Sequence, residues 1–532
     1  MGRELAILAL AALALPGSAQ AQALGARERA LHLLSRFSFG PTRAELARVL
    51  ELGEEAWLDE QLAALEDPAL AARLEAFPTL GLPAVDVWAL TYEATPDDAS
   101  PEERRRIREK NDAPRRELMA ATATRAVYAR AQLVEVLVDF WRNHFNVSYT
   151  KEGPALQLLT EWDERVLRAH ALAPFGELLA ATAHAPAMLH YLDNSSSRRP
   201  STGAELAELE RRIRRATGSR AAGERAADLA LQRGLNENYA RELLELHTLG
   251  ADNGYRQQDV VALAEVLTGW TWERTDTGWG FRFRGDLHVT GSKRFLGQRI
   301  QGEIEKGEAE GQAVLALLAE ERGTSEFLAL KLARHFVDDD PPPRLVADLA
   351  AAFRKHDGRP AEVLRALVAH DAFWSRAHYR SKFKTPQEFV FSALRATGAE
   401  VDDWSEVLRR LGDMGQPIYH CDDPTGWYDT AEAWLDPGVL ALRWEFASDL
   451  AHDRVAGVRL GGAVFAEVGD EVPVHAWSTR LTARLLPGGA GLATQVALDR
   501  AAAQSFAQDA QPDALRRRLL ALLLGSPDFQ RQ

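Results

Sequence analysis

Asn236-Glu237-Asn238-Tyr239-Ala240-Arg241-Glu242-Leu243-Leu244-Glu245-Leu246-His247-Thr248-Leu249-Gly250 carries three carboxylates, an arginine, two amides and a histidine around one apolar stripe. Placed at ~100° per residue, Tyr239, Leu243, Leu246 and Gly250 share one line, the face expected to meet the core. Asn238, Glu242 and Glu245 form a polar row on one border, and His247 and Asn236 sit on the other. A carboxylate at the edge of a buried stripe is partly desolvated. Its pKa then rises or it takes a partner, and either outcome serves acid–base or metal chemistry. The stretch predicts a helix that carries a site.

Helical punctuation continues on both sides. Thr42-Arg43-Ala44-Glu45 reads as a capping box, and Ser100-Pro101-Glu102-Glu103 as a second with proline at the first helical position. Arg115 to His144 reads as one or two long helices. Residues 195–234 change character, with a Ser195 to Ser201 loop followed by alanine-, glutamate- and arginine-rich helix. This charged insertion reads as a surface helical hairpin in preference to a flap, because its charges can pair along helical faces. Beyond Gly250, Asp252-Asn253-Gly254 is a turn and a helix runs from near Gln257 to Thr268. Trp270, Trp272, Trp279, Phe281 and Phe283 alternate at period two about Thr275-Asp276-Thr277-Gly278, the pattern of a β-hairpin. Pro341-Pro342-Pro343 begins a helix or marks a boundary. The expectation is a mainly α protein, a large multi-helix domain with one small β-hairpin. Residues 27–340 would form a helical core domain and 341–532 a C-terminal helical subdomain packed on it.

At 532 residues the chain can bury a substantial core without staples. Its net charge of −14 argues against a general nucleic-acid binder, which needs a basic surface. An apolar run from Leu5 to Leu15, then Pro16-Gly17-Ser18-Ala19-Gln20-Ala21, has the form of a secretory signal over 1–21, with cleavage expected after Ala21 or Ala23. It is too short to span a bilayer, and no membrane span is expected after cleavage. The expected location is the periplasm or the exterior. The single cysteine, Cys421, cannot form an internal disulfide and reads as a small buried hydrophobe.

On the opening helix, Arg241 and Glu245 at i,i+4 read equally well as a solvent ion pair. Glu242, nearest the stripe, is the stronger chemical candidate. Glu245 and His247 are two residues apart and point away from each other, so metal binding needs further ligands, drawn from His144, His184, His190 or His288. His144 falls on the apolar face of its helix, while Arg142, Asn143 and Asn146 crowd the same end. No dinucleotide fingerprint, phosphate loop, nucleophile elbow or zinc-type cysteine pairing occurs.

Several blocks recur in a familiar order: Phe140-Trp141-Arg142-Asn143-His144-Phe145, Pro186-Ala187-Met188-Leu189 with Tyr191-Leu192-Asp193-Asn194, Asn236 to Gly250, Gln258-Asp259-Val260, Leu267-Thr268-Gly269-Trp270, Lys331-Leu332-Ala333 with His335-Phe336, Lys384-Thr385-Pro386 with Glu388, and Gly426-Trp427 with Trp434. Together they resemble the bacterial domain-of-unknown-function family 1800. The resemblance implies an exported, predominantly helical protein and transfers no catalytic residue. Val289 stands where an aspartate commonly follows the histidine, the 195–234 segment is expanded, and Cys421 occupies a usually different position.

Three readings of function follow. The first is an exported enzyme acting on an envelope or extracellular polymer by carboxylate acid–base chemistry. In it Glu242 is the acid or base, Glu245 its electrostatic partner, Arg241, Asn238 and His144 orient, and Trp141, Asn143, Trp270 and His288 contact substrate. Trp272 and Trp427 are further stacking surfaces, against core filling for all the tryptophans. The second places a divalent metal among Glu242, Glu245, His144, His184 and His288. The third is a non-catalytic envelope or surface-assembly factor whose polar helix is a buried network.

Overall fold

Capped, amphipathic helices give the chain its architecture. The computed structural model describes residues 23–532 except 64–65, 152, 154, 233, 276–277, 303–306 and 508–510. The expected signal segment and the two central turn residues of the expected hairpin lie outside the described residues.

Near the N-terminus, α1 (Ala26–Phe37) is followed by α2 (Arg43–Leu52), and Thr42 and Glu45 form the expected reciprocal cap between them. The span from Arg115 to His144 is two helices, α3 (Ala113–Tyr128) and α4 (Gln132–His144). Buried Gln132 separates them: its amide donates to the Ala126 and Ala129 carbonyls at 3.2 and 2.9 Å and so satisfies the open end of α3. A π-helical segment, Trp162–Arg168, then crosses behind α4.

The charged insertion is a helical hairpin, α5 (Gly203–Thr217) against α6 (Arg220–Gln232). Gly223 allows the close approach, since a Cβ there would stand 2.7 Å from the Glu210 carbonyl. The opening stretch is α7 (Asn238–Glu242) continued by a π-helical turn, Leu243–His247. Strands β1 (Trp270–Thr275) and β2 (Gly278–Phe283) pair antiparallel, with Trp270 opposite Phe283 and Trp272 opposite Phe281. Two further two-stranded sheets accompany this hairpin, β3 (Lys293–Phe295) with β4 (Gln298–Ile300) and β5 (Glu400–Val401) with β6 (Val458–Arg459). Strands of two or three residues carry too little alternation to be read from sequence.

Between these sheets run α8 (Gly307–Glu320), α9 (Arg322–Phe336), α10 (Pro343–Lys355) and α11 (Pro386–Thr397). Pro343 is the first residue of α10, so the proline run begins a helix. One continuous cluster of buried apolar side chains extends from Ala30 to Phe529. Arg395 on α11 stitches distant parts of it, donating to the carbonyls of Gly40 and Val127 at 3.0 and 2.9 Å and pairing with Glu45 at 2.6 Å. No helix among the described residues is long and apolar enough to cross a membrane.

Behind the centre of α4 lies Asp163, wholly buried on the π-helical segment. Arg142 Nη2 reaches it at 2.9 Å and the Tyr419 hydroxyl donates to the same oxygen. Arg125 and Arg168 stand 3.8 and 3.9 Å away, each bonded to a second acid, Glu164 and Glu135. A carboxylate taken out of water costs several kcal/mol, and these cations hold its pKa well below the ordinary value against that cost. Replacing Asp163 with Asn leaves the arginines without their shared counter-charge. The expected loss is about 3–5 kcal/mol of stability, read by urea denaturation; a loss within experimental error would show that the pairing is dispensable.

A candidate acid–base cleft

The nominated helix is turned relative to expectation. Its buried residues are Tyr239, Ala240, Leu243, Leu244 and His247, whereas Leu246 is half-buried. Ala240 and Leu244 extend the apolar surface on the His247 side, and the π turn, closed by Thr248 Oγ1 on the Leu243 carbonyl at 2.6 Å, slackens the winding there. His247 thereby enters the core, and Asn238, Glu242 and Glu245 move outward. Arg241 pairs with Glu237 at 3.2 Å and Glu245 at 3.5 Å, both partly exposed ion pairs worth under about 1 kcal/mol. Asn238 donates to the Leu192 carbonyl at 3.4 Å. Glu242 is half-buried; burial, then Glu245 and Asp423, raise its pKa while Arg241 opposes them.

The expected partners of these carboxylates are elsewhere. His144 is buried, and its ring takes a hydrogen bond at Nδ1 from Lys331 Nζ and donates from Nε2 to the His247 carbonyl, both at 3.1 Å. It bonds to neither Glu242 nor Glu245. His184 donates to the Ala180 carbonyl at 2.6 Å and packs its ring on Trp270 and Phe281. His288 is locked in the interior between the Thr268 carbonyl at 2.9 Å and Glu310 at 3.1 Å, with Lys293 on the other Glu310 oxygen at 2.8 Å. Among the described residues no three His, Cys, Asp or Glu side chains gather as a metal would require. Trp141 and Trp270 are core residues, Trp141 donating to the Ala171 carbonyl at 3.1 Å. His144 serves the core and the carboxylates face outward, so the structure does not bring Glu242, Glu245 and His144 together. Cys421 is buried, as expected, with its thiol against the Asp423 carbonyl.

A different constellation opens on the surface between α4, α9, α11 and the 416–429 segment. Asp139, Arg142, Asn143, His335, Glu388 and Asp429 share this cleft, whose cavity is about 50 Å³. Each is placed by a specific local bond. Arg142, anchored on Asp163, extends Nη1 to Asp139 at 2.8 Å. Asn143 grips the Trp427 backbone from both sides, donating to its carbonyl at 2.9 Å and accepting from its amide at 2.6 Å. That grip carries Asp429 to His335, whose Nδ1 lies 3.0 Å from the carboxylate. Lys382 steadies the same turn through the Asp429 carbonyl at 2.8 Å and Asp339 at 2.7 Å. Thr385 caps α11 in a capping box with Glu388.

The electrostatics are those of a poised proton-transfer site. Burial alone would depress the His335 pKa, but Asp429 more than compensates and the net shift is upward. Asp429 is held far below the ordinary carboxylate value by His335, Lys382 and Lys331 against its own burial. Burial raises Asp139, and the opposing pull of Arg142 and His335 does not cancel it, with Glu388 adding to the rise. Among the described residues His335 Nε2 has no hydrogen-bond partner, so the imidazole is oriented at one nitrogen and open at the other.

Sequence reasoning named Asn143 in this cleft and missed Asp139, His335 and Asp429 as chemical groups. Asp139 lies three residues before Arg142, a readable spacing. His335 and Asp429 are separated by 94 residues, and no local pattern announces their meeting. If Asp429 sets the His335 pKa, Asp429→Asn leaves only the weaker pull of Glu388 against burial. By NMR, His335 should then titrate below the ordinary imidazole range; an unchanged titration would contradict the pairing.

No curated protein and no solved structure matches the chain. The model of one family does, the one described as protein of unknown function (DUF1800), over residues 32–531. That match takes in nearly the whole chain and every side chain of the cleft: the protein belongs to the DUF1800 family.

Proposed function

We propose that the protein is an exported enzyme working by general acid–base catalysis in the His335–Asp429 cleft, on a polar polymer of the cell envelope or its surroundings. One observation carries the reading: two groups facing one cleft are pushed in the directions that suit opposite roles. Asp139 is more basic than an ordinary carboxyl, and His335 holds its proton longer than an ordinary imidazole. Near neutral pH ionised Asp139 takes a proton from an attacking water, and His335 Nε2 gives one to the departing oxygen. The imidazolium is kept in register by Asp429, which does not itself change protonation. The amides of Asn143, Asn146, Gln387 and Gln416 line the cleft but are spent on the protein's own backbone, so the charged groups Asp139, Arg142 and Glu388 give the cleft its affinity for a polar substrate. The narrowness of the cleft suits entry of one linkage, with the remainder of the polymer lying outside. Export is supported by the N-terminal apolar run and its small-residue site.

Cell-wall and exopolysaccharide preparations incubated with the full chain, with released fragments identified by mass spectrometry, test this reading. Activity should rise with pH as Asp139 ionises and fall as His335 deprotonates. Asp139→Asn and His335→Gln should each cost roughly 10²-fold or more in turnover at unchanged melting temperature, and Glu242→Gln should be neutral. Wild-type turnover in both cleft variants would refute the proposal. Loss only in Glu242→Gln would return the chemistry to the polar helix.

A further inference from the structure

A second constellation lies beside α11, next to Glu388 of the cleft but lined by other residues. Lys384, just ahead of the helix, directs Nζ to Ser392 Oγ at 3.0 Å. Both side chains are buried, at 5 % and 3 % exposure, and both line a recess shared with His32, Arg380, Asp528 and Arg531. Gly40 passes directly over the serine: its φ is +113°, and a Cβ there would stand 2.6 Å from Ser392 Cβ.

An ammonium has three hydrogens to place. At Lys384 one meets the Ser392 hydroxyl and the Phe529 ring face lies 4.2 Å from Nζ, but among the described residues no carboxylate comes within ion-pair distance. Such an amine is better accommodated neutral, when its lone pair can accept the serine proton. Burial lowers the Lys384 pKa to about 7, with Glu388 opposing and Arg380 and Arg443 assisting. The Ser392 hydroxyl donates to the Phe389 carbonyl at 3.0 Å, and rotation about Cβ–Oγ turns that hydrogen to Nζ.

We propose that Ser392 and Lys384 form a serine–lysine dyad, a second catalytic site that hydrolyses small acyl esters through an acyl-serine. Ser392 Oγ adds to the ester carbonyl carbon while its proton passes to Lys384 Nζ. The bond from that carbon to the alcohol oxygen breaks, and the alcohol leaves with the proton from Nζ. Water then adds to the acyl carbon and gives a proton to Nζ. The acyl–Oγ bond breaks, Oγ recovers the proton, and the carboxylic acid departs. The guanidiniums of Arg380 and Arg531 bias the recess toward the negative charge of the tetrahedral intermediate. The recess holds a cavity of about 60 Å³, room for a few waters, which suits a small acyl group.

The full chain incubated with p-nitrophenyl acetate, and separately with a fluorophosphonate serine probe, followed by peptide mass mapping, tests the dyad. An adduct on Ser392 is expected, its rate rising through about pH 7 as Lys384 loses its proton. Glu388, Arg380 and Arg443 shift that midpoint beside burial, and Arg531, Asp528 and His32 line the same recess. Ser392→Ala should abolish the adduct. So should Lys384→Arg, which keeps the charge and cannot release its proton, while Asp139→Asn and His335→Gln should label as wild type. No adduct on Ser392 at any pH, or wild-type labelling of a folded Lys384→Arg, overturns the proposal. If Lys384→Arg fails to fold, the wild-type profile decides: a rise near pH 7 supports the dyad and a flat one overturns it.

Discussion

The structure turns on a carboxylate that has no water. Asp163 sits on a π-helical segment with three arginines and a tyrosine hydroxyl about it, joining α3, α4 and the 416–429 segment at a point that apolar packing alone would leave unspecified. A buried charge with its partners in place tolerates few arrangements, whereas leucine against leucine tolerates many. Tyr419 shows the constraint at work. It adopts a φ of +58°, a conformation that costs a non-glycine residue about 1–3 kcal/mol, and its hydroxyl is bound to Asp163.

From that hub the order passes outward to chemistry. Arg142 is the intermediary: one edge of its guanidinium is fixed on Asp163 and the other presents Asp139 to the cleft. Because burial outweighs the arginine, the outer carboxylate keeps a raised pKa although Arg142 touches it. His335 and Asp429 arrive from other directions, through α9 and the Trp427 turn. A second buried chain, His247 to His144 to Lys331, links the polar helix to the same α9, with Lys331 one helical turn before His335. Burial and Lys331 push both histidines of that chain to low pKa, so both are neutral at physiological pH and act as spacers between helices.

Much of this was legible in the sequence. The helix caps at Thr42 and Ser100, period-two aromatics from Trp270 to Phe283, and charge pairing across 203–232 each act over a few residues, which is the range of sequence patterns. The helical class and the family blocks were equally visible. Two things were hidden. The face of the polar helix depended on a π turn, which a regular helical wheel cannot represent, so Glu242 and Glu245 were placed nearer the core than they are. The meeting of Asp139, His335 and Asp429 depended on Asn143 holding the Trp427 backbone, a contact between segments 284 residues apart. The block Phe140 to Phe145 was recognised as distinctive, but its purpose was divided: Phe140, Trp141 and His144 face the core, Arg142 and Asn143 the cleft.

The measurement that tests the account most directly is a carboxyl titration by NMR of the protein carrying carbon-13 in its aspartate side chains. It follows the interior and the cleft carboxylates in one sample. Asp163 and Asp429 should stay ionised well below the range of an ordinary aspartate, while Asp139 takes up its proton above that range. If Asp139 instead titrated with or below the ordinary aspartates, the pull of Arg142 would outweigh its burial, and the proposed proton transfer would have lost its base.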